Sequence, residues 1–348
     1  MRRCKVCIYP DTRPDTHFVD GVCSACHEFE ASKSYDWGAR LDALVTLLDV
    51  DNPRPYHAVV PVSGGKDSHY QVLKLLELGA RVLAVAAATD YLTPIGRRNL
   101  DNLKRYCDVV EVTPCLRVRK ALVRLGLSVV GDMSWPEHAA IWSIPTRVAV
   151  QMGIPLIVWG ENPQRCYASP EGVPPATELN EAWVSQFGGL LGMRLDDLIG
   201  KSGLTVQDLE IFRFPDLSAA AVKGVWLGDY ISWDGWKNAF VAQQYGFEVM
   251  PTNVEGTGAN YENVDNFVTV LRDYMRYLKY GYTRATDILS LHVRHGRLTR
   301  DEALKLEALS QYEPLKTSLG KPIEEVLAYF DITPEQFKQE CAAWKTGD

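Results

Sequence analysis

Ser63-Gly64-Gly65-Lys66-Asp67-Ser68 gathers two hydroxyls, two glycines, a cation and an acid into one short run. Glycine reaches positive φ and lets bare backbone approach a ligand. Upstream, Ala58-Val59-Val60-Pro61-Val62 reads as a short buried strand. Downstream, Val72, Leu73, Leu75, Leu76 and Leu78 recur at helical spacing and stop at Gly79. A glycine turn feeding a helix presents free N–H groups and the positive end of the helix dipole, which together make an anion site. Ser63 and Ser68 add donors, Lys66 adds a charge, and Asp67 is an oxygen ligand suited to Mg²⁺. The Walker pattern G-x-x-x-x-G-K-[ST] is absent.

A second group is Cys4-Lys5-Val6-Cys7 and Cys23-Ser24-Ala25-Cys26, two C-x₂-C pairs with fifteen residues between them. Four thiolates suit a closed tetrahedral Zn²⁺ site. Residues 1–34 are too short and polar for a core of their own, so metal binding is expected to supply their folding energy. His17 and His27 are alternative ligands, and a redox pair or an iron–sulfur site is the competing reading.

The elements that must position these groups follow a regular order. Residues 35–49 read as a helix, and Asn52-Pro53-Arg54-Pro55 breaks the chain before the next unit. Strands are expected at 81–88, 108–112 and 154–160, with helices at 94–106, 115–128 and 136–151. This alternation predicts an α/β fold, a doubly wound parallel sheet spanning 52–250. Ligands of such sheets sit beyond the carboxyl ends of the strands. The 63–68 loop, Thr89-Asp90 and Gly160-Glu161-Asn162 fall there. Residues 163–223 are polar and loop-rich, with helices expected near 180–200 and 205–212, and read as an insertion over the mouth of the site, with the question of a lid left open. A strand is expected at 224–234, with Asp229 and Asp234 as its polar residues of interest. The loop at 254–263 is dense in hydrogen-bonding groups. Beyond it, 251–348 reads as a helical C-terminal region, with capping boxes at Thr299/Glu302 and Thr333/Gln336 and with Pro334 in the first helical turn.

The 348 residues are 46% hydrophobic and 23% charged, as in ordinary globular proteins. A net charge of −7 argues against a chain whose main task is gripping nucleic acid. There is no apolar signal region and no membrane-length run, so no membrane insertion and a cytoplasmic location are expected.

The 63–68 run resembles the pyrophosphate loop of the ATP pyrophosphatases. Together with the four cysteines, Gly160-Glu161-Asn162, the 254–263 loop and Lys279-Tyr280-Gly281-Tyr282-Thr283-Arg284, it resembles the N-acetyl sugar amidotransferases of surface polysaccharide biosynthesis. That resemblance implies ATP, Mg²⁺ and structural Zn²⁺ as cofactors. It implies conversion of an acetamido group on a nucleotide-linked sugar to an acetamidino group, with release of AMP and pyrophosphate. Ser63, Gly64, Gly65, Lys66, Asp67, Ser68, Thr89, Gly160 and Glu161 would bind the nucleotide, Thr89 at the adenosine edge. Asp67 and Glu161 would hold Mg²⁺, and Lys279 and Arg284 would offset developing charge. Asp229, Glu255, Gly256, Thr257, Asn260 and Asn263 would contact the sugar nucleotide.

No cysteine–histidine glutaminase arrangement is legible, and the sequence opens Met1-Arg2 rather than on a cysteine. Ammonia is therefore expected from a separate glutaminase subunit. The rivals are a tRNA-thiolating enzyme with the same loop, and a non-catalytic zinc- and nucleotide-binding scaffold. The first needs catalytic cysteines and a basic surface, whereas Cys107, Cys115, Cys166 and Cys341 are isolated.

Overall fold

The computed structural model describes residues 1–87, 91–312 and 315–346. Thr89 and Asp90 lie outside them.

Five parallel strands form the centre: β1 (Ala58–Pro61), β2 (Val82–Ala87), β3 (Asp108–Val112), β4 (Leu156–Trp159) and β5 (Lys223–Trp226), in the order β3-β2-β1-β4-β5. β1, β2 and β4 are apolar and mostly β-branched or small, and bury every residue, as parallel strands covered on both faces must. Val59, Leu83, Val85 and Ile157 face one layer of helices, Leu116–Val130 and Trp135–Met152. Val60, Ala84, Leu156 and Val158 face the other, where Leu44, Leu48, Val72, Leu75, Leu100 and Leu103 supply the packing. The strand order reverses between β1 and β4, so their carboxyl ends flank the crevice where such sheets bind ligands.

Two stretches differ in detail from the sequence reading. Within 163–223, Trp183, Leu198, Leu204, Leu209, Phe212 and Val222 are buried in the main core beside Trp226, while Tyr167 reaches Glu161. The helices of this segment are short, Glu181–Phe187 and Val206–Leu209 among 3₁₀ turns, so the segment folds by filling a face of the sheet and not by its own periodicity. The stretch expected as one strand at 224–234 stops at Trp226. After a 3₁₀ turn, Asp234 accepts from Trp236 N and opens an unforeseen helix, Gly235–Gln244.

The C-terminal region packs as its own cluster. Val268, Leu271, Met275 and Leu278 of helix Val268–Tyr280 meet Val326, Leu327, Phe330 and Phe337, and the cluster continues onto Val123 and Leu127 of helix Leu116–Val130. Hydrogen bonds tie this region to the N-cap of the helix Pro94–Leu103 that follows β2: Thr93 N donates to Asp265 O, and Thr93 Oγ1 to Val264 O. The N-terminal module leans on helix Arg284–Arg294, where Ile8 shares a core with Ala285 and Leu289.

Candidate functional site

The 63–68 loop takes the shape its residues dictate. Gly64 turns at φ +89°, with the Gly96 carbonyl so close that an added Cβ would sit 3.1 Å from it. Gly65 is the N-cap of helix Lys66–Glu77 with no side-chain cap, so the first-turn N–H groups keep their capacity for an anion. Ser68 Oγ accepts from Ser63 N at 2.9 Å and Ser63 Oγ from Gly65 N at 3.3 Å, which hold the turn closed. At the end of β4, Gly160 lets helix Lys66–Glu77 approach, since a Cβ there would meet Gln71 Nε2 at 2.4 Å.

Lys66 is the hub. It is 7% exposed, and its Nζ lies 2.7 Å from Asp67 Oδ2 and 2.6 Å from Glu262 Oε1. Burial favours the neutral amine, but these two carboxylates hold it charged and raise its pKa well above the lysine range. Glu262 also pairs with Arg284 at 3.2 Å. Burial pushes its carboxyl up, and the two cations outweigh that and lower it. Asn238, buried on the unforeseen helix, donates to Asp67 Oδ1 at 2.9 Å. The 63–68 loop and the C-terminal region are thus joined by a chain of charges, Asp67–Lys66–Glu262–Arg284.

Glu161 stands beside this chain. Burial raises its pKa and the charge on Asp67 adds to the rise, while the Tyr167 hydroxyl donates to Oε1 at 3.5 Å. Two neighbouring carboxylates that repel each other across a phosphate-type turn form a donor set suited to Mg²⁺, which takes one or two carboxylates and completes its shell with phosphate and water. Asp265 is a further acid at the turn, hydrogen-bonded by Ser63.

The remaining sequence-derived residues divide. Arg284 is in the charge chain. Lys279 donates to the Val130 carbonyl at 2.7 Å and lines a cavity of about 340 Å³ that Arg284 and Tyr167 also border. The polar groups of the 254–263 loop other than Glu262 are engaged within the loop or with the helices and turns packed on it. Glu255 accepts from Thr317 Oγ1 and Leu319 N, Thr257 Oγ1 donates to backbone carbonyls, Asn260 donates to Met250 O, and Asn263 donates to Asp273. Gly256 packs against the Tyr312 ring. Asp229 is buried in a network with Asn162 and Arg165, and burial raises its pKa. Glu262, Asn238, Tyr167 and the arginines of helix Val268–Tyr280 were not singled out from the sequence. Those arginines carried a signal, because Arg272, Arg276 and Lys279 recur on one helical face.

The cysteines come together. Cys4, Cys7, Cys23 and Cys26 are buried with all four sulfurs within 4.8 Å of one another, the sole group of three or more metal-ligating side chains found among the described residues. Cys7 and Cys23 sulfurs are 3.6 Å apart, and those of Cys4 and Cys26 3.9 Å. A tetrahedral ion with metal–sulfur bonds of about 2.3 Å needs sulfurs about 3.8 Å apart. Val6 N and Cys23 N donate to Cys4 Sγ, and Tyr9 N to Cys7 Sγ, the outer-shell bonds that orient thiolate ligands. The donor set fits structural zinc. Burial and the charge on Glu161 push the Cys166 thiol well above the ordinary cysteine range.

Among the described residues no helix is long and apolar enough to cross a membrane. Residues 255–348 match the model of the C-terminal domain of WbpG-like proteins, described as LPS biosynthesis proteins. That match bears out the resemblance to the surface polysaccharide family, and it covers Glu262, Lys279 and Arg284. No curated protein matches the chain.

Proposed function

Because residues 255–348 match the model of the C-terminal domain of WbpG-like LPS biosynthesis proteins, we propose that the chain is the ATP-consuming amidotransferase expected from its sequence. It would convert an acetamido group of a nucleotide-linked sugar to an acetamidino group. The observation that carries the reading is the ion-pair chain linking Lys66 of the loop to Glu262 and Arg284 of that domain. A polyphosphate and an acceptor held by the two regions would meet there.

The chemistry needs each part. An amide oxygen is a poor nucleophile and its carbon a poor electrophile. Attack of that oxygen on the α-phosphate of ATP forms a P–O bond and expels pyrophosphate, leaving an O-adenylated imidate. Ammonia then adds to the imidate carbon, loses a proton, and AMP departs with the former amide oxygen. The loop N–H groups, Ser63 and Lys66 hold the departing phosphates. Asp67 and Glu161 would hold Mg²⁺, which would neutralise phosphate charge when bound. Asn238 keeps Asp67 oriented. The nitrogen would come from a separate glutaminase subunit: among the described residues none of Cys107, Cys115, Cys166 and Cys341 is hydrogen-bonded to a histidine that could activate it.

Incubation with ATP, ammonium and N-acetylated UDP-sugars tests this. The expected products are AMP, pyrophosphate and a sugar nucleotide one mass unit lighter. AMP formed only with tRNA and a sulfur donor would replace the reading with thiolation, and ADP in place of AMP would end it.

A pH dependence follows from Glu161. Its carboxyl is held above the ordinary glutamate range by burial and by Asp67, and metal binding needs it ionised. Mg²⁺-dependent AMP release should therefore fall as pH drops, with a midpoint above the usual glutamate value. For folding the sign is opposite. The raised acid stabilises the ligand-free chain fully below its unfolded pKa, and that contribution is lost as pH rises through the folded one. A pH–rate profile of Glu161→Gln that kept the same acid limb would show that another group sets it.

A further inference from the structure

The cavity beside the charge chain has a wall that the reaction above does not use. Arg272, Arg276 and Lys279 stand at i, i+4 and i+7 of helix Val268–Tyr280 and line it from one side, and Arg13 of the cysteine module lines it from another. Asp15 and Asp132 are the carboxylates among its lining residues. Buried acids anchor the guanidinium groups from behind. Arg272 Nη2 lies 2.8 Å from Asp273 Oδ1, Arg276 Nη1 3.1 Å from Asp287 Oδ2, and Arg13 Nε 3.1 Å from Asp287 Oδ1. Asp273 and Asp287 are 0% and 1% exposed.

Arg272 spends Nε and Nη2 on Asp273 and places Nη1 3.3 Å from His138 Nε2, whereas Arg276 keeps nitrogens without a partner. Nε and Nη2 of Arg276 are buried without a hydrogen-bond partner, Nη2 lying 3.9 Å from Asp273 Oδ1, and Lys279 Nζ has one neutral hydrogen-bond partner, the Val130 carbonyl. Rigid guanidinium forks with donors to spare are the arrangement that takes phosphate oxygens bidentately. The cavity is separated from the 63–68 loop by single side chains, because Tyr167 and Arg284 line it while reaching Glu161 and Glu262. The loop N–H groups and Lys66 already suffice for one polyphosphate, so a second set of phosphate donors this close points to a second phosphorylated ligand.

We propose that this cavity is the subsite for the diphosphate of a nucleoside-diphosphate-linked acceptor, bound by Arg13, Arg272, Arg276 and Lys279. The assignment rests on the reaction proposed above, because it places the acceptor's sugar toward the Tyr167–Arg284 wall and the loop behind it. It also gives the cysteine module a part in acceptor binding through Arg13.

The test is calorimetric binding to the full, zinc-loaded chain. The probes are UDP, GDP and dTDP for the cavity, and α,β-methylene-ATP with Mg²⁺ for the loop. At least one diphosphate should bind. Arg272→Gln should weaken it about tenfold, the loss of one charge-assisted contact, while the ATP analogue changes less than twofold. Because Arg272→Gln also strips a partner from buried Asp273, Lys279→Gln serves as the second variant: it breaks no ion pair and should give the same selective loss. The subsite is wrong if none of the three diphosphates binds, if both variants bind them as the parent does, or if the ATP analogue weakens equally. A chain that makes no AMP yet shows the selective loss keeps the subsite and discards the amidotransferase reaction.

Discussion

Replacing Lys66 with methionine should cut AMP release on the order of a thousandfold or more, with most of the loss in kcat. Lys66 sits where its charge is worth most: 7% exposed, at the first turn of an uncapped helix, with its ammonium between two carboxylates. In the ligand-free chain Glu262 is the partner that a phosphate would displace, and Arg284 remains to receive it. Binding is therefore an exchange of one anion for another at Lys66, and its cost is shared between ground and transition states. Negative charge builds on the departing pyrophosphate only as its bond to the α-phosphate breaks, so the lysine acts mainly on the rate. Methionine keeps the length and apolar stem and removes the charge. Glu262 keeps Arg284, so stability should fall by about 1–3 kcal/mol, which a thermal melt would separate from the catalytic loss. Turnover within tenfold of the parent, in a variant that melts normally, would remove Lys66 from the reaction.

What could be read from the sequence was what is local. The strand–loop–helix around 63–68 has every determinant within twenty residues or so, and it forms as expected, with the helix starting at Lys66. The capping boxes at Thr299 and Thr333 close on Glu302 and Gln336, because a cap is decided by residues three apart. The four cysteines meet for the same reason of type and spacing. Direction was not legible. A loop rich in Glu, Thr and Asn reads as a binding surface, yet Glu255, Thr257, Asn260 and Asn263 fold back on protein, and the neighbouring Glu262 faces Lys66. Which way a polar side chain points depends on a partner far away in the chain. Residues 163–223 misled for a related reason. Their apolar residues are too irregular to announce an element, and only the sheet face they cover gives them order.

The second large effect belongs to the metal. Cys4→Ser should abolish bound zinc and lower stability on the order of 5 kcal/mol, shifting the melt by ~10 °C or more. Serine is no substitute for a thiolate in a four-sulfur shell, and the remaining sulfurs would be left crowded without a cation to compensate them. The loss should not stay within residues 1–34, because the module is riveted to the C-terminal helices. Arg300 Nε donates to the carbonyls of Cys4 and Cys7, Arg3 pairs with Glu307, and Ile8 is buried with Ala285 and Leu289. Arg13 then leaves Asp287, whose carboxyl, held low by Arg276, Arg13 and Arg284 against its burial, loses one of its three cations. Metal analysis and calorimetry decide between two outcomes. A single unfolding transition moved down as a whole is expected. A separate early transition, with the main one unmoved, would mean that the module melts alone and that its contacts with helix Arg284–Arg294 carry little of the fold.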